Sequence, residues 1–257
     1  MTWTEKRRVR ITDGEVAVVE AGDPDAPPVV LLSGGFTSSY LWRGLIPLLA
    51  PWTHVIAPDL LGSGDSDSPE GADLRLPAQT ANVRSVLEAL GIQRFAVVGH
   101  GRGAGVAQLL AIDGGVGALV LIDAIAFDTW PSPRILDLRS HLDDVDAAFV
   151  RSWFDTFFDV GMGHRERLSD ADLGEYRRPF EGDDGVARFV RIASAFDGRG
   201  LVDIEPHRLP GGLHGERVEA VAGAADAGTG GRAQPPRQRV DARLQRLLAL
   251  DNQFGGR

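Results

Sequence analysis

Cysteine is absent from the 257 residues, which excludes a disulfide framework, a thiolate metal site and a cysteine nucleophile. Lysine is almost absent: Lys6 is the only one, and arginine supplies the other 26 of 27 basic residues. With abundant alanine, glycine and proline, that bias is the product of GC-rich codons. No apolar run approaches the roughly 18 to 20 residues of a membrane span, and the stretch from Ala118 to Ala126 is interrupted by Asp123. Glu5, Lys6, Arg7 and Arg8 are not followed by an apolar signal core, so the expectation is a soluble, cytoplasmic chain without a membrane partner. Basic charge is in deficit, with a net charge of −9. That argues against a nucleic-acid partner, because neutralising phosphates takes clustered Lys and Arg. Apolar residues are plentiful at 43%, enough for one large, well-buried α/β domain. No cofactor is implied, and composition leaves the oligomeric state open.

The patterning is that of an α/β chain. Val9–Thr12 and Glu15–Ala21 alternate around Asp13-Gly14 and read as a β-hairpin. Val29–Ser33, His54–Ala57, Arg94–Gly99 and Ala118–Ile122 are short apolar runs of the buried, parallel kind. Helical spacing separates them at Tyr40–Leu49, at Pro77–Leu90 (proline in its first turn, Gly91 after its end) and at Ala104–Ile112. The expected core, residues 1–126, is a mostly parallel sheet flanked by helices.

From Phe127 the alternation stops. Residues 127–200 read as amphipathic helices rich in aromatics, among them Phe149, Trp153, Phe154, Phe157, Phe158, Phe180 and Phe189, and are expected to form a helical cap or lid over a pocket with aromatic walls. Residues 201–257 form a third, degenerate or partly disordered segment. From His207 onward, 51 residues hold 9 Gly, 8 Ala and 8 Arg, with a net charge of +3. Two parallel strands cannot be found there. Gly223–Arg239 reads as disordered, and only Val240–Leu250 has helical spacing. Out-of-frame reading of a GC-rich gene would give such a tail.

Chemistry centres on Gly99-His100-Gly101-Arg102-Gly103, which follows the apolar run Phe95–Val98. The G-x-Nuc-x-G spacing places a nucleophile on a strained strand-to-helix turn, flanked by glycines that let strand and helix approach. Here the central position is Gly101, which has no side chain with which to attack.

Four stretches make residues 27–200 resemble the α/β-hydrolase fold, close to its haloalkane dehalogenase and epoxide hydrolase branch. They are Leu31–Arg43, similar to the oxyanion loop and following helix; Pro58–Asp67, similar to the D-x-x-G-x-G-x-S-D turn; the elbow; and Leu121–Ala126, similar to a strand end that presents a triad acid. The resemblance implies that the backbone N–H groups of Gly35 and Arg102 point into one pocket as an oxyanion hole or halide cradle. It also implies that Asp123 stands beside the elbow to orient a histidine.

His100-Gly101-Arg102 is similar to a His-Asp-Arg elbow, which makes the ancestral nucleophile an Asp. Ser33 stands where the family has histidine in the oxyanion loop. Gly35 and Arg102 stand where haloalkane dehalogenases place the Asn and Trp that hold halide. The family takes its base from a loop after the last strand; His207 and His214 are the histidines available, with His214 the candidate, although aligning Leu213–Val221 to the helix after that base puts the catalytic position on Gly211. His54, His100, His141 and His164 read as structural or surface residues.

Three functions follow. One is a hydrolase by descent, of the epoxide, haloalkane or ester class with a small apolar small-molecule substrate, impaired by loss of nucleophile and base. Another is a non-covalent lyase or cyclase using the oxyanion donors, Arg102 and Asp123. The third is a non-catalytic binding protein.

Overall fold

The computed structural model describes residues 5–125, 130–161, 165–197 and 219–221. The predicted hairpin forms from Arg7–Ile11 (β1) and Gly14–Ala21 (β2), antiparallel from Arg7 opposite Val18 to Ile11 opposite Gly14. Pro28–Leu32 (β3), His54–Pro58 (β4), Phe95–His100 (β5) and Val116–Ile122 (β6) follow. The sheet order is β1-β2-β4-β3-β5-β6, with a seventh, short strand beside β6; it is antiparallel where β2 meets β4 and parallel from there on. Burial explains the unbroken apolar runs: all five residues of β4, and Val29 to Leu32 of β3, are buried, as strands covered on both faces must be.

Helices Leu76–Ala89 (α2) and Arg102–Asp113 (α3) form where the spacing places them, and they bury Val83, Val86 and Leu87, and Val106 and Leu110. The helix expected over Tyr40–Leu49 is instead a 3-10 turn, Ser39–Trp42, and a single α turn, Ile46–Leu49 (α1). Gly44 and Pro47 lie in and just after the break; glycine is the poorest helix former after proline, and proline removes a donor that only a first turn can spare.

The tail carries a further difference. Glu219–Val221 forms a short strand (β7) parallel to β6, Val120 opposite Glu219 and Ile122 opposite Val221. These residues belong to the stretch compared above with a helix. The open edge of β6 offers a row of unpaired backbone groups, and satisfying it overrides so short a helical pattern.

Residues 130–197 are helical throughout their structured parts, as the aromatic periodicity predicts, and no strand occurs among the described residues there. The helices are Pro133–Ser140 (α4), Ala147–Gly161 (α5), Asp170–Arg177 (α6) and Gly182–Ser194 (α7). Ser169 and Asp172 close a capping box at the start of α6. The segment packs on the core through Phe36, whose ring stacks on Phe189 at 4.6 Å and meets Trp153 at 4.5 Å. Polar ties reinforce the contact: Tyr40 Oη donates to Asp172 at 2.9 Å, Arg178 pairs with Asp65 at 2.6 Å, and Arg188 donates to the Gly64 carbonyl at 2.8 Å. Among the described residues no helix is long and apolar enough to cross a membrane.

Candidate active site

β3, β5 and β6 are parallel neighbours, so the loop after Leu32, the elbow at Gly101 and the turn at Asp123 emerge together at their carboxyl ends, where ligands of α/β sheets bind. Gly101 closes β5 by donating its N–H to the Ile122 carbonyl at 3.0 Å, and accepts the first helical bond of α3 from Ala104 at 3.1 Å. Its φ of +53° and ψ of −116° form a combination that L-residues rarely adopt, the strained turn that an elbow requires.

The three elbow glycines serve different purposes. A Cβ at Gly99 would lie 2.5 Å from the Ala104 Cα, and one at Gly103 would lie 2.4 Å from the Leu32 carbonyl oxygen. Both are barred by backbone. A Cβ at Gly101 would meet only the Gly34 Cα, at 3.6 Å, an ordinary contact. The flanking glycines are therefore demanded by packing, whereas the central position has room for a side chain directed at the loop after β3.

That loop runs Ser33-Gly34-Gly35-Phe36. Thr37 ties it by donating its hydroxyl to the Gly34 carbonyl at 2.9 Å, and Phe36 takes a φ of +59°, an uncommon conformation for so large a residue. Gly35 is covered by Phe196: a Cβ there would stand 2.6 Å from the Phe196 Cζ.

Arg102 begins α3, so its backbone N–H lies at the helix N-terminus. Its side chain is packed into the interior. It is 3% exposed, donates from Nη2 to the Leu74 carbonyl, and lies with Cζ 4.9 Å from the Phe196 ring centroid. Burial lowers its pKa to about 10, against the pull of Asp197 and Asp73, which leaves it charged at neutral pH.

Asp123 stands one residue past β6, exposed, with a φ of +45°, a left-handed conformation that Asp tolerates better than most residues. Beside it is His100. Burial lowers the His100 pKa more than the charge of Asp123 raises it, so the ring is neutral at pH 7. Its Nδ1 stands 2.8 Å from where a Cβ of Gly34 would be. Ser33 Oγ, His100 Nδ1 and Arg102 Nη1 are buried without a hydrogen-bond partner among the described residues. The other histidines have local roles: His54 Nε2 lies 3.0 Å from Glu20, and His141 Nδ1 lies 2.9 Å from the Asp137 carbonyl. His214, His207, Gly211 and His164 lie outside the described residues. Among those described, no cluster of three or more His, Asp or Glu is arranged to hold a metal.

The sequence reading brings Gly35, Gly101, Arg102 and Asp123 to one edge, where the structure has them. It misses Phe196, the last aromatic of the helical segment. Nothing in the sequence around Gly35 points to it.

Residues 27–173, more than half of the chain, match the alpha/beta hydrolase fold family. A haloalkane dehalogenase of Bradyrhizobium diazoefficiens is 29% identical over 197 residues, 68% of this chain and 63% of that protein. A soluble epoxide hydrolase of Corynebacterium is 35% identical over 181 residues, 65% of this chain and 60% of that protein. The chain thus spans less than two thirds of the length of these two relatives. An alpha/beta hydrolase fold protein from Burkholderia ambifaria superposes with a TM-score of 0.70 at 27% identity, over 77% of this chain and 73% of that one. Sheet order, elbow geometry and these matches agree: the chain belongs to the alpha/beta hydrolase fold family.

Proposed function

We propose that this chain is a hydrolase by descent, of the epoxide, haloalkane or ester class, whose nucleophile position is vacant at Gly101. The observation that carries the reading is the space at that residue: the elbow holds its strained backbone, and a Cβ there would meet nothing nearer than the Gly34 Cα at 3.6 Å. In a covalent hydrolase a carboxylate or hydroxyl in that space attacks the substrate carbon. Backbone N–H groups of Gly35 and Arg102 then hold the oxygen that gains charge. Asp123 orients a histidine, for which His214 is the candidate, and that histidine activates the water that releases the intermediate. No backbone atom can replace the attacking group, so the covalent step fails as the chain is written. Residues 127–200 serve in this reading as a cap over a small apolar substrate.

The test restores the side chain. Gly101→Asp and Gly101→Ser are incubated with epoxides, haloalkanoates and p-nitrophenyl esters, with wild type alongside. Wild type is expected to be inert, and Gly101→Asp to accumulate one ester per chain, read as a mass increment on the intact protein. Sustained turnover by Gly101→Asp would establish a working histidine and overturn the loss of the base. Hydrolysis by wild type would overturn the whole reading.

A further inference from the structure

The Phe196 ring is held from several sides by groups that favour an aromatic occupant. The Arg102 guanidinium lies over it at 4.9 Å, Phe36 meets it in edge contact at 5.1 Å, and Trp130 lies tilted at 5.4 Å. The ring is buried, with the residue 2% exposed, and the Phe196 carbonyl accepts from Arg139 at 3.1 Å. Gly35 completes the arrangement at the tip of the ring: a Cβ there would come within 2.6 Å of the ring Cζ. A guanidinium over the face and aromatic edges at the sides recognise a π-system and have no comparable preference for a saturated ring of equal size.

We propose that this is an aryl-binding seat, filled in the present conformation by the chain's own Phe196, and that the substrate carries an aryl group which takes the seat when Phe196 withdraws. The proposal rests on the hydrolase reading for the word substrate, and on packing alone for the seat. Gly35 adjoins Gly34, whose Cα lies 3.6 Å from the Cβ position at 101. An aryl group seated over Gly35 therefore brings the carbon beside its ring toward the place where a nucleophile would stand. Aryl epoxides and benzylic halides are the matching class.

The experiment measures binding and needs no turnover. Benzyl alcohol and cyclohexylmethanol are titrated by calorimetry into the full chain and into Phe196→Ala. The variant is expected to bind benzyl alcohol about tenfold more tightly than cyclohexylmethanol, the discrimination of roughly one edge or cation–π contact. Wild type, with the seat filled, is expected to bind benzyl alcohol at least about tenfold more weakly than the variant does. Adding Arg102→Met to Phe196→Ala should bring the preference close to one.

A folded Phe196→Ala that binds neither alcohol, or both equally, overturns the proposal. Where Phe196→Ala does not fold, Gly35→Ala decides: it should lower Tm in the wild type and cost little beside Phe196→Leu, whereas an equal loss in both backgrounds denies that the ring shapes position 35. If Gly101→Asp is alkylated by aliphatic epoxides as readily as by aryl epoxides, the seat fails while the hydrolase reading stands.

Discussion

The turn after β4 and the elbow after β5 lie two strands apart in one sheet, yet they treat their polar groups in opposite ways. In the turn, the fully buried Asp59 leaves little unused. One carboxylate oxygen accepts from the Ser39 N–H at 2.7 Å, and the other from the Asp65 N–H at 2.9 Å and from Lys6 Nζ at 2.7 Å. Its own N–H donates to the Ala17 carbonyl at 2.8 Å, and its carbonyl accepts from Ser66 Oγ at 2.7 Å. The only lysine in the chain is thus the counterion of this turn. Burial lowers the Lys6 pKa, and Asp59 and Asp65 more than offset that, holding it above the usual lysine value. At the elbow and its facing loop, Ser33 Oγ, His100 Nδ1 and Arg102 Nη1 are buried and have no partner among the described residues. Buried polar groups are normally satisfied, and beside the turn Ser39 Oγ is a further exception among the described residues. The turn supports the scaffold, and the elbow leaves polar groups unused, in keeping with the proposed function.

The largest effect expected from breaking this contrast is at the turn. Asp59→Ala removes an acceptor from Lys6, Ser39 and Asp65 together and leaves a buried cation with Asp65 alone, at a cost of about 3 kcal/mol. Urea unfolding would show it as a lower midpoint or as failure to fold, and an unchanged midpoint would deny the turn its structural role. The elbow responds according to position. Gly103→Ala drives a Cβ to 2.4 Å from the Leu32 carbonyl oxygen, costing roughly 3 kcal/mol because backbone must move. Gly101→Ala meets no clash and incurs only the strain of its φ, about 1–2 kcal/mol. Equal losses at the two positions would mean that the central site has no room, and the vacancy argument would fall.

Much of this was legible in the sequence because it is local. Asp13-Gly14 between alternating runs fixes a hairpin, four apolar runs with helical spacing between them fix a covered parallel sheet, and glycines at 99 and 103 fix an elbow. What was not legible depends on contacts between distant parts of the chain. Nothing near Arg102 says that its guanidinium will turn toward the Leu74 carbonyl. Gly35 does not announce that Phe196, at the far end of the helical segment, fills its missing side chain. β7 is a strand because β6 has a free edge, and three residues of Glu-Ala-Val carry too little pattern to reveal it. The break at Gly44 was visible in composition, and helical spacing on either side obscured it.

Two serines provide a finer comparison. Ser66 Oγ donates to the Asp59 carbonyl at 2.7 Å and accepts from the Ala17 N–H at 2.9 Å; Ser66→Ala leaves both buried groups unmet and should cost about 1–3 kcal/mol. Ser33 Oγ is just as buried and has no partner among the described residues. Ser33→Ala should therefore be neutral, or stabilise by up to about 1 kcal/mol, because it removes an unsatisfied hydroxyl. Thermal unfolding of the pair checks the sign. A substantial loss at Ser33 would show that its hydroxyl is engaged, and the elbow side of the contrast would weaken.

The smallest effect concerns the charge state of the elbow histidine. Burial holds the folded-state pKa of His100 below its ordinary value of 6.5, although Asp123 acts in the other direction. A base with a depressed pKa takes up its proton more readily in the unfolded chain, so below the ordinary histidine pKa the unfolded state binds more protons and stability falls as the solution is acidified. The contribution is complete above about pH 6.5 and is lost progressively below it. His100→Gln, which cannot titrate, should flatten the change in urea midpoint between about pH 7.5 and about pH 5.5 by less than about 1 kcal/mol, the other histidines being common to both proteins. Equal slopes would mean that the ring is solvated enough to protonate freely, and one of the three orphan groups would then be satisfied by water. A steeper wild-type slope would mean that burial keeps the imidazole neutral beside an exposed carboxylate at neutral pH.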